Sequence, residues 1–297
     1  MSKKTILILG ITSIIGYRFY QLNKNYRIFG LCRKWPFTNR YNIFEKDHLE
    51  IKDIDNILYD IQPDVVINCI SIGNVDECEL NPKSAYDINY KFTVEISNLV
   101  NKYNITMINF SSSLIYDGFN PPYSENSIAK PLNKYGKLKL DTDTYLRNSL
   151  TKNILIRPTT IFGNKEVFHR DNPVNFIINK IINNEEILLV DDVVTNFLFV
   201  DDLVNCIELF LENNIYGEFN IGGNESISRY DLGIRIKKIL NHENYNIKRC
   251  NSNFFKTIAR RPLNTTLLTK KLLKSIKLNF TDLDDAIKSI IKEKGLL

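Results

Sequence analysis

Five short runs of almost wholly apolar residues, alternating with helical patterns, constrain this chain more than any other feature. Thr5-Ile6-Leu7-Ile8-Leu9 is the first; Tyr26–Leu31, Asp64–Asn68, Thr106–Phe110 and Ile154–Arg157 follow. Such runs suit strands buried on both faces of a parallel sheet. Helical periodicity fills Ile14–Leu22, Ile51–Ile61, Pro82–Tyr103 and Tyr135–Ser149. The alternation predicts a doubly wound α/β fold, with any ligand in the crevice over the carboxyl ends of the strands. Beyond Gly163 the pattern loosens. Val174–Ile182 and Arg229–Leu240 read as helices and Gly217–Gly223 as a strand and turn, so a smaller lobe is expected there.

A length of 297 residues and an apolar fraction of 43% suit one large α/β domain or a core with an added lobe. No apolar run reaches the roughly 18 residues of a membrane helix. The first apolar stretch ends in a glycine turn and lacks a small-residue cleavage site, so it reads as a strand rather than a leader. A cytoplasmic protein is expected. The five cysteines are scattered with no C-x-x-C pair, which indicates neither a disulfide frame nor a zinc site. The three histidines are not at metal spacing, and no metal is expected. A net charge of +5, with cations and carboxylates interleaved, gives no nucleic-acid footprint.

Three local patterns carry chemistry. Gly10-Ile11-Thr12-Ser13-Ile14-Ile15-Gly16 follows the first strand and opens a helix, the setting in which backbone N–H groups face a pyrophosphate. Ser13 stands where a middle glycine is expected, and its Cβ narrows the approach. After the second strand the chain reads Leu31-Cys32-Arg33-Lys34, with no carboxylate to accept from a ribose 2′-hydroxyl. Arg33 and Lys34 suit a 2′-phosphate instead, which favours NADP over NAD. Tyr135 and Lys139 lie four apart on one helical face, 23 residues beyond the serine run Ser111-Ser112-Ser113. A nearby ammonium is expected to lower the phenol's pKa and fit it for proton transfer.

Together with Pro63–Asn68, Val75–Glu79, Phe110–Gly118, Pro131–Gly136, Arg157-Pro158 and Arg261–Asn264, these pieces resemble the extended short-chain dehydrogenase/reductase family. Within it the chain is most similar to the dTDP-4-dehydrorhamnose reductases and their relatives, from about residue 5 to beyond 265. The resemblance implies a Rossmann-like NADP-binding domain over 1–162, to which residues about 190–212 return, and a mainly substrate-binding lobe over 163–297. It implies that Ser112, Tyr135 and Lys139 are catalytic. It places Gly10, Thr12, Ser13, Ile14, Ile15, Gly16, Arg33, Lys34, Asp47, Cys69, Ile70 and Ser71 on the cofactor, together with Tyr135 and Lys139. It places Ser113, Asn175 and Arg261 on a sugar nucleotide. Asn68 reads instead as a residue that steadies its turn. The implied reaction reduces the keto group of a nucleotide-linked 4-keto-6-deoxyhexose with NADPH, in deoxysugar or polysaccharide synthesis. A homodimer is implied, paired through helices equivalent to Pro82–Tyr103 and Tyr135–Ser149.

Departures narrow the class. Dehydratases of the family carry an Asp-Glu pair where this chain has Ser113-Leu114, and bifunctional epimerase/reductases carry a cysteine at the Leu114 position. Neither Ser nor Leu can do that proton chemistry. A 4-epimerase with bound NAD needs only the Ser–Tyr–Lys set and stays open. The segment Thr195–Leu203 resembles the epimerase branch, which argues against rhamnose itself. The second class is a non-catalytic regulatory subunit of the same fold; retention of Ser112, Tyr135 and Lys139 weighs against it.

Overall fold

The computed structural model describes residues 3–149 and 152–296. Seven parallel strands form the central sheet: β1 (Thr5–Leu9), β2 (Arg27–Cys32), β3 (Ile43–Glu45), β4 (Val65–Asn68), β5 (Thr106–Phe110), β6 (Asn153–Pro158) and β7 (Gly217–Ile221). Their order is β7-β6-β5-β4-β1-β2-β3, with the chain reversing direction across the sheet between β1 and β4. The period of two sorts each strand's side chains into two cores. Ile6, Ile8, Val65, Ile67, Ile108 and Ile154 face one layer, and Leu7, Leu9, Val66, Met107 and Leu155 face the other. This two-sided burial is why the sequence runs are apolar throughout.

The first layer is covered by α1 (Ile14–Leu22) through Phe19, and the second by α2 (Ile51–Ile61) through Ile54, Ile57 and Leu58. Next come α3 (Val75–Leu80), α4 (Pro82–Tyr86) and α5 (Thr93–Lys102), the last packing Ile96 and Val100 on the second layer. The stretch expected as one helix over Pro82–Tyr103 is not continuous α-helix, because a π-turn over Asp87–Phe92 separates α4 from α5. Asn89 lies in this turn. Its carbonyl accepts from Thr142 Oγ1 at 3.1 Å, and its side chain grips the loop after β4. Such tertiary bonds draw the helix off its i→i−4 pattern, as π-bulges do at functional sites.

After α6 (Lys134–Ser149) and β6 the chain builds the lobe from α7 (Pro173–Ile182) and returns. α8 (Val200–Asn213) lies on the first layer through Leu203, Val204, Ile207 and Phe210. Arg18 of α1 grips Asp201 of α8 with both arms of its fork, at 2.6 and 2.7 Å. The strand expected in the lobe at Gly217–Gly223 is β7 itself, paired in parallel along β6 from Gly217↔Ile154 to Ile221↔Pro158. The open edge of β6 claims it.

The lobe core comes from α7, α9 (Arg229–Ile239) and α11 (Leu283–Glu293), packed about the parallel pair Ile187–Val190 and Ile247–Cys250. Between α9 and α11, α10 (Lys270–Ser275) goes back to the sheet and buries Leu272 there. No helix among the described residues is long and apolar enough to cross a membrane.

Candidate active site

The carboxyl ends of β1, β4 and β5 open onto one crevice, and each sequence motif sits at one of them. At β1 the chain turns on Gly10, whose φ of +77° only glycine adopts without strain. Ser13 caps α1, its Oγ accepting the Gly16 N–H at 3.0 Å. A Cβ on Gly16 would lie 3.0 Å from the Gly10 carbonyl, Ile8 Cγ2 and Ser13 Oγ alike. The serine turns its hydroxyl into the helix end; the Gly10 and Ile11 N–H groups donate to the Leu31 carbonyl and that of Ser13 to the Gly10 carbonyl, so the N–H groups of Thr12, Ile14 and Ile15 are those left at the positive end of the helix dipole. Thr12, Ile14 and Ile15 complete the turn.

Arg33 and Lys34 lie exposed just beyond β2, and Asp47 lies exposed just beyond β3. Cys69, Ile70 and Ser71 follow β4. Asn68 accepts the Ile70 N–H at 3.2 Å and donates to Asn109 Oδ1 at 3.0 Å, so it steadies this turn from inside. Ser71 Oγ donates to Asn89 Oδ1 at 3.1 Å. Burial pushes the Cys69 thiol up to about 12 despite its contact with Ser13, which leaves it neutral and unreactive.

Ser112 is the middle serine of the run after β5, its Oγ accepting the Leu114 N–H at 3.1 Å. Gly136 lets α6 press against this turn, since a Cβ there would lie 2.2 Å from the Leu114 carbonyl oxygen. Asn133 holds the helix entry, accepting the Gly136 N–H at 2.8 Å and donating to the Arg260 carbonyl at 2.8 Å. The close approach sets the half-buried Tyr135 hydroxyl beside Ser112. Lys139 is only 6% exposed, and its Nζ donates to the Phe110 carbonyl at 2.8 Å. That Nζ lies 5.7 Å from the Tyr135 ring centre. The three predicted catalytic side chains therefore converge.

Their electrostatics differ from the expectation that Lys139 lowers the pKa of Tyr135. Burial pushes the phenol up to about 12, opposed by its hydrogen bond with Ser112 and by the Arg170 cation, not by Lys139. Burial also brings the Lys139 ammonium down to about 8, against the attraction of Asp143. Helical spacing placed the two residues on one face, but the ammonium is aimed below the ring, at the end of β5.

The substrate side is less uniform. Ser113 is buried beside the same turn. Asn175 is wholly buried, and its amide donates to the Gly163 carbonyl at 2.6 Å and to Asn172 Oδ1 at 3.1 Å. The amide nitrogen thus braces the entry to α7, while the buried Oδ1 has no hydrogen-bond partner. The Arg261 fork is already engaged, with Asp76 at 2.8 Å and the Ala259 carbonyl at 3.3 Å, while Arg229 lies near enough to repel it. No signal in the sequence marked Arg170. It follows His169 in the loop Asn164–Asp171, and its Nη1 comes within 4.0 Å of where a Gly73 Cβ would stand. It forms no ion pair among the described residues. No cluster of three or more metal-ligating side chains occurs among those residues either.

A parallel sheet in this order, with these motifs at its strand ends, matches the family model described as the RmlD substrate binding domain over residues 4–295. The chain belongs to the RmlD family. Its curated relatives include the protein named methionine adenosyltransferase 2 subunit beta from Bos taurus, 28% identical over 80% of this chain and 72% of that one. They also include dTDP-4-dehydrorhamnose reductase from Aggregatibacter actinomycetemcomitans, 25% identical over 85% of this chain and 90% of that one. Among solved structures, dTDP-4-dehydrorhamnose reductase from Bacillus anthracis in complex with NADP superposes with a TM-score of 0.86 at 20% identity, over 98% of this chain and 100% of that one. UDP-glucose 4-epimerase from Thermotoga maritima superposes at 0.83 and 18% identity, over 99% and 100%. At such identities the solved structures establish the shared fold.

In this RmlD-family chain the loop Asn164–Asp171 crosses from the β1 turn toward Tyr135. Phe168 meets Tyr17 of α1 edge-on at 5.4 Å, and His169 meets the same ring at 5.7 Å. His169 Nδ1 accepts the Glu166 N–H at 3.0 Å. Burial, with the nearby Lys165 cation, holds its imidazole down to about 4. The loop is thus shaped around a neutral histidine.

Proposed function

We propose that this chain is a reductase that uses NADPH to reduce the keto group of a nucleotide-linked 4-keto-6-deoxyhexose, working in the cytoplasm as a homodimer. One observation carries the reading: Ser112, Tyr135 and Lys139, from separate segments, meet at the strand ends on the side of the sheet where α1 begins. The cofactor residues fit a dinucleotide. The α1 N–H groups suit its pyrophosphate, and the exposed Arg33 and Lys34 suit a 2′-phosphate. Bound NADPH would supply a hydride to the keto carbon.

The protein's part is to hold and move one proton. Tyr135, which keeps its proton until about pH 12, is a phenol throughout the neutral range. It donates that proton to the oxygen as the C=O becomes an alkoxide, and Ser112 donates a hydrogen bond to the same oxygen. Lys139 spends one N–H on Phe110 and retains two for the nicotinamide ribose. Oxidation of NADPH on addition of a 4-keto sugar nucleotide, with the hydroxy sugar as product, tests the proposal.

The relatives named as a subunit of methionine adenosyltransferase favour a second reading, a non-catalytic partner of another enzyme. No NADPH oxidation with any 4-keto sugar nucleotide, joined to a stable complex with a methionine adenosyltransferase chain, would support it over the first.

A further inference from the structure

Beneath Lys139 lies a chain of charged side chains that the proposed reaction does not use. Asp143 follows Lys139 by one helical turn on the same face of α6, with none of its side chain exposed. Its Oδ2 accepts from Ser111 Oγ at 2.7 Å and from Arg157 Nε of β6 at 3.0 Å. The other end of the Arg157 guanidinium donates to Glu218 of β7 at 2.6 Å, and Arg147 of α6 closes on Glu218 from the surface. Asp143 Oδ1 is buried and has no hydrogen-bond partner.

Such an arrangement is costly if it serves only to hold the fold. A buried pair is weak evidence for stability, and a carboxylate oxygen left without a donor adds to the cost. Its position explains it better. Asp143 is bonded to Ser111, the neighbour of Ser112, and sits one turn below Lys139. A single carboxylate thus references the β5 end and the α6 face to each other. It is also the carboxyl group that most favours the charged form of Lys139, although burial raises its own pKa against the pull of Arg157 and Ser111; Cys78 from α3, Cys69 after β4 and Tyr135 on the same helix also face the ammonium, with the Phe110 carbonyl as its acceptor.

We propose that Asp143 is a positioning residue for the site: anchored by Arg157 and Glu218, it holds Lys139 charged and in register with Ser112. The inference rests on the reading that Lys139 grips a dinucleotide, and its experiment needs no turnover. NADPH affinity is measured by fluorescence titration from pH 6 to 9.5 for the wild type, Asp143→Asn, Asp143→Glu and Glu218→Gln.

Wild-type affinity should weaken above pH about 8 as Lys139 loses its proton. In Asp143→Asn that limb should move about one unit lower, so that binding falls roughly threefold near pH 7.5 and approaches tenfold near pH 9, where a unit of pKa is tenfold in the charged fraction. Asp143→Glu should restore most of the limb. Glu218→Gln, in which the buried carboxylate is intact, should move it the same way by about two- to threefold; this variant decides the matter if the asparagine protein does not fold. A limb unmoved in a folded Asp143→Asn, or in Glu218→Gln where only that protein folds, overturns the proposal. Absence of NADPH binding by the wild type would instead remove the dinucleotide reading beneath it.

Discussion

The floor and the roof of the crevice are built on opposite plans. On the floor, at the ends of β1, β4 and β5 and along α6, polar side chains are paired, and all but Ser13 are buried: Ser13 with Gly16, Asn68 with Asn109, Lys139 with Phe110, Asp143 with Arg157. On the roof, the loop Asn164–Asp171 presents Arg170 with no ion-pair partner among the described residues, an exposed Val167, and a His169 Nε2 that is buried without a partner. A preorganised floor needs no ligand to set its geometry, which is what the proposed reaction would draw on. A roof with unspent donors is completed by what it closes over.

The largest effect should come from the floor. Tyr135→Phe removes the proton donor and little else, so turnover should fall about 10²–10⁴-fold with NADPH affinity and melting temperature near wild type. Activity within tenfold of wild type would sink the assigned role. Gly136→Ala tests whether the floor tolerates displacement. Its methyl would meet the Leu114 carbonyl at 2.2 Å, so α6 must shift. We expect a loss of about 1–3 kcal/mol in chemical denaturation, and a fall in turnover of about 10²-fold from the misplaced tyrosine. Unchanged kinetics would show that the floor adapts as the roof does.

Roof substitutions should spare the fold. Arg170→Gln removes the cation that faces Tyr135, and turnover should fall about tenfold with thermal stability unchanged, as expected for one exposed charge. A stability loss with normal kinetics would reverse the contrast. The smallest effect concerns pH. His169 is held neutral, with its folded pKa at about 4 against 6.5 for the free side chain. Above pH 6.5 both folded and unfolded states are neutral there and the contribution is complete; as pH falls from 6.5 through 4 the unfolded state takes up the proton first, and stability is lost. Protonation also ends the Nδ1 bond to Glu166. Amide exchange in Asn164–Asp171 should therefore quicken across that window in the wild type and respond less in His169→Gln; equal profiles would show that the loop does not sense this ring.

Most of the floor was legible in the sequence because it is local. An apolar run, a glycine turn and an i,i+4 pair each declare themselves within seven residues. What was hidden depends on distant partners. The π-turn exists because Thr142 and the loop after β4 engage Asn89. The membership of β7 is decided by the edge of β6, not by its own five residues. The bonds of Asn175 to Gly163 and Asn172 at the entry to α7 depend on a loop twelve residues back that no pattern in the sequence marks. Arg170 lies in a loop without periodicity, so nothing before folding marks it. The direction in which Lys139 aims its ammonium is likewise a matter of where β5 ends, which spacing along a helix does not encode.

The late arrival of β7 and α8 has a practical outcome for anyone dividing this polypeptide. A fragment cut after Phe162 would contain the whole β1 turn with Ser112, Tyr135 and Lys139, yet it would leave one border of its sheet bare and strip Leu203, Val204, Ile207 and Phe210 from its hydrophobic face. Unpaired borders of that kind recruit other chains. The two halves are interleaved rather than appended, so the smallest piece that folds alone runs past Ile221, and shuffling lobes between relatives would require two splice points on each side of the sheet.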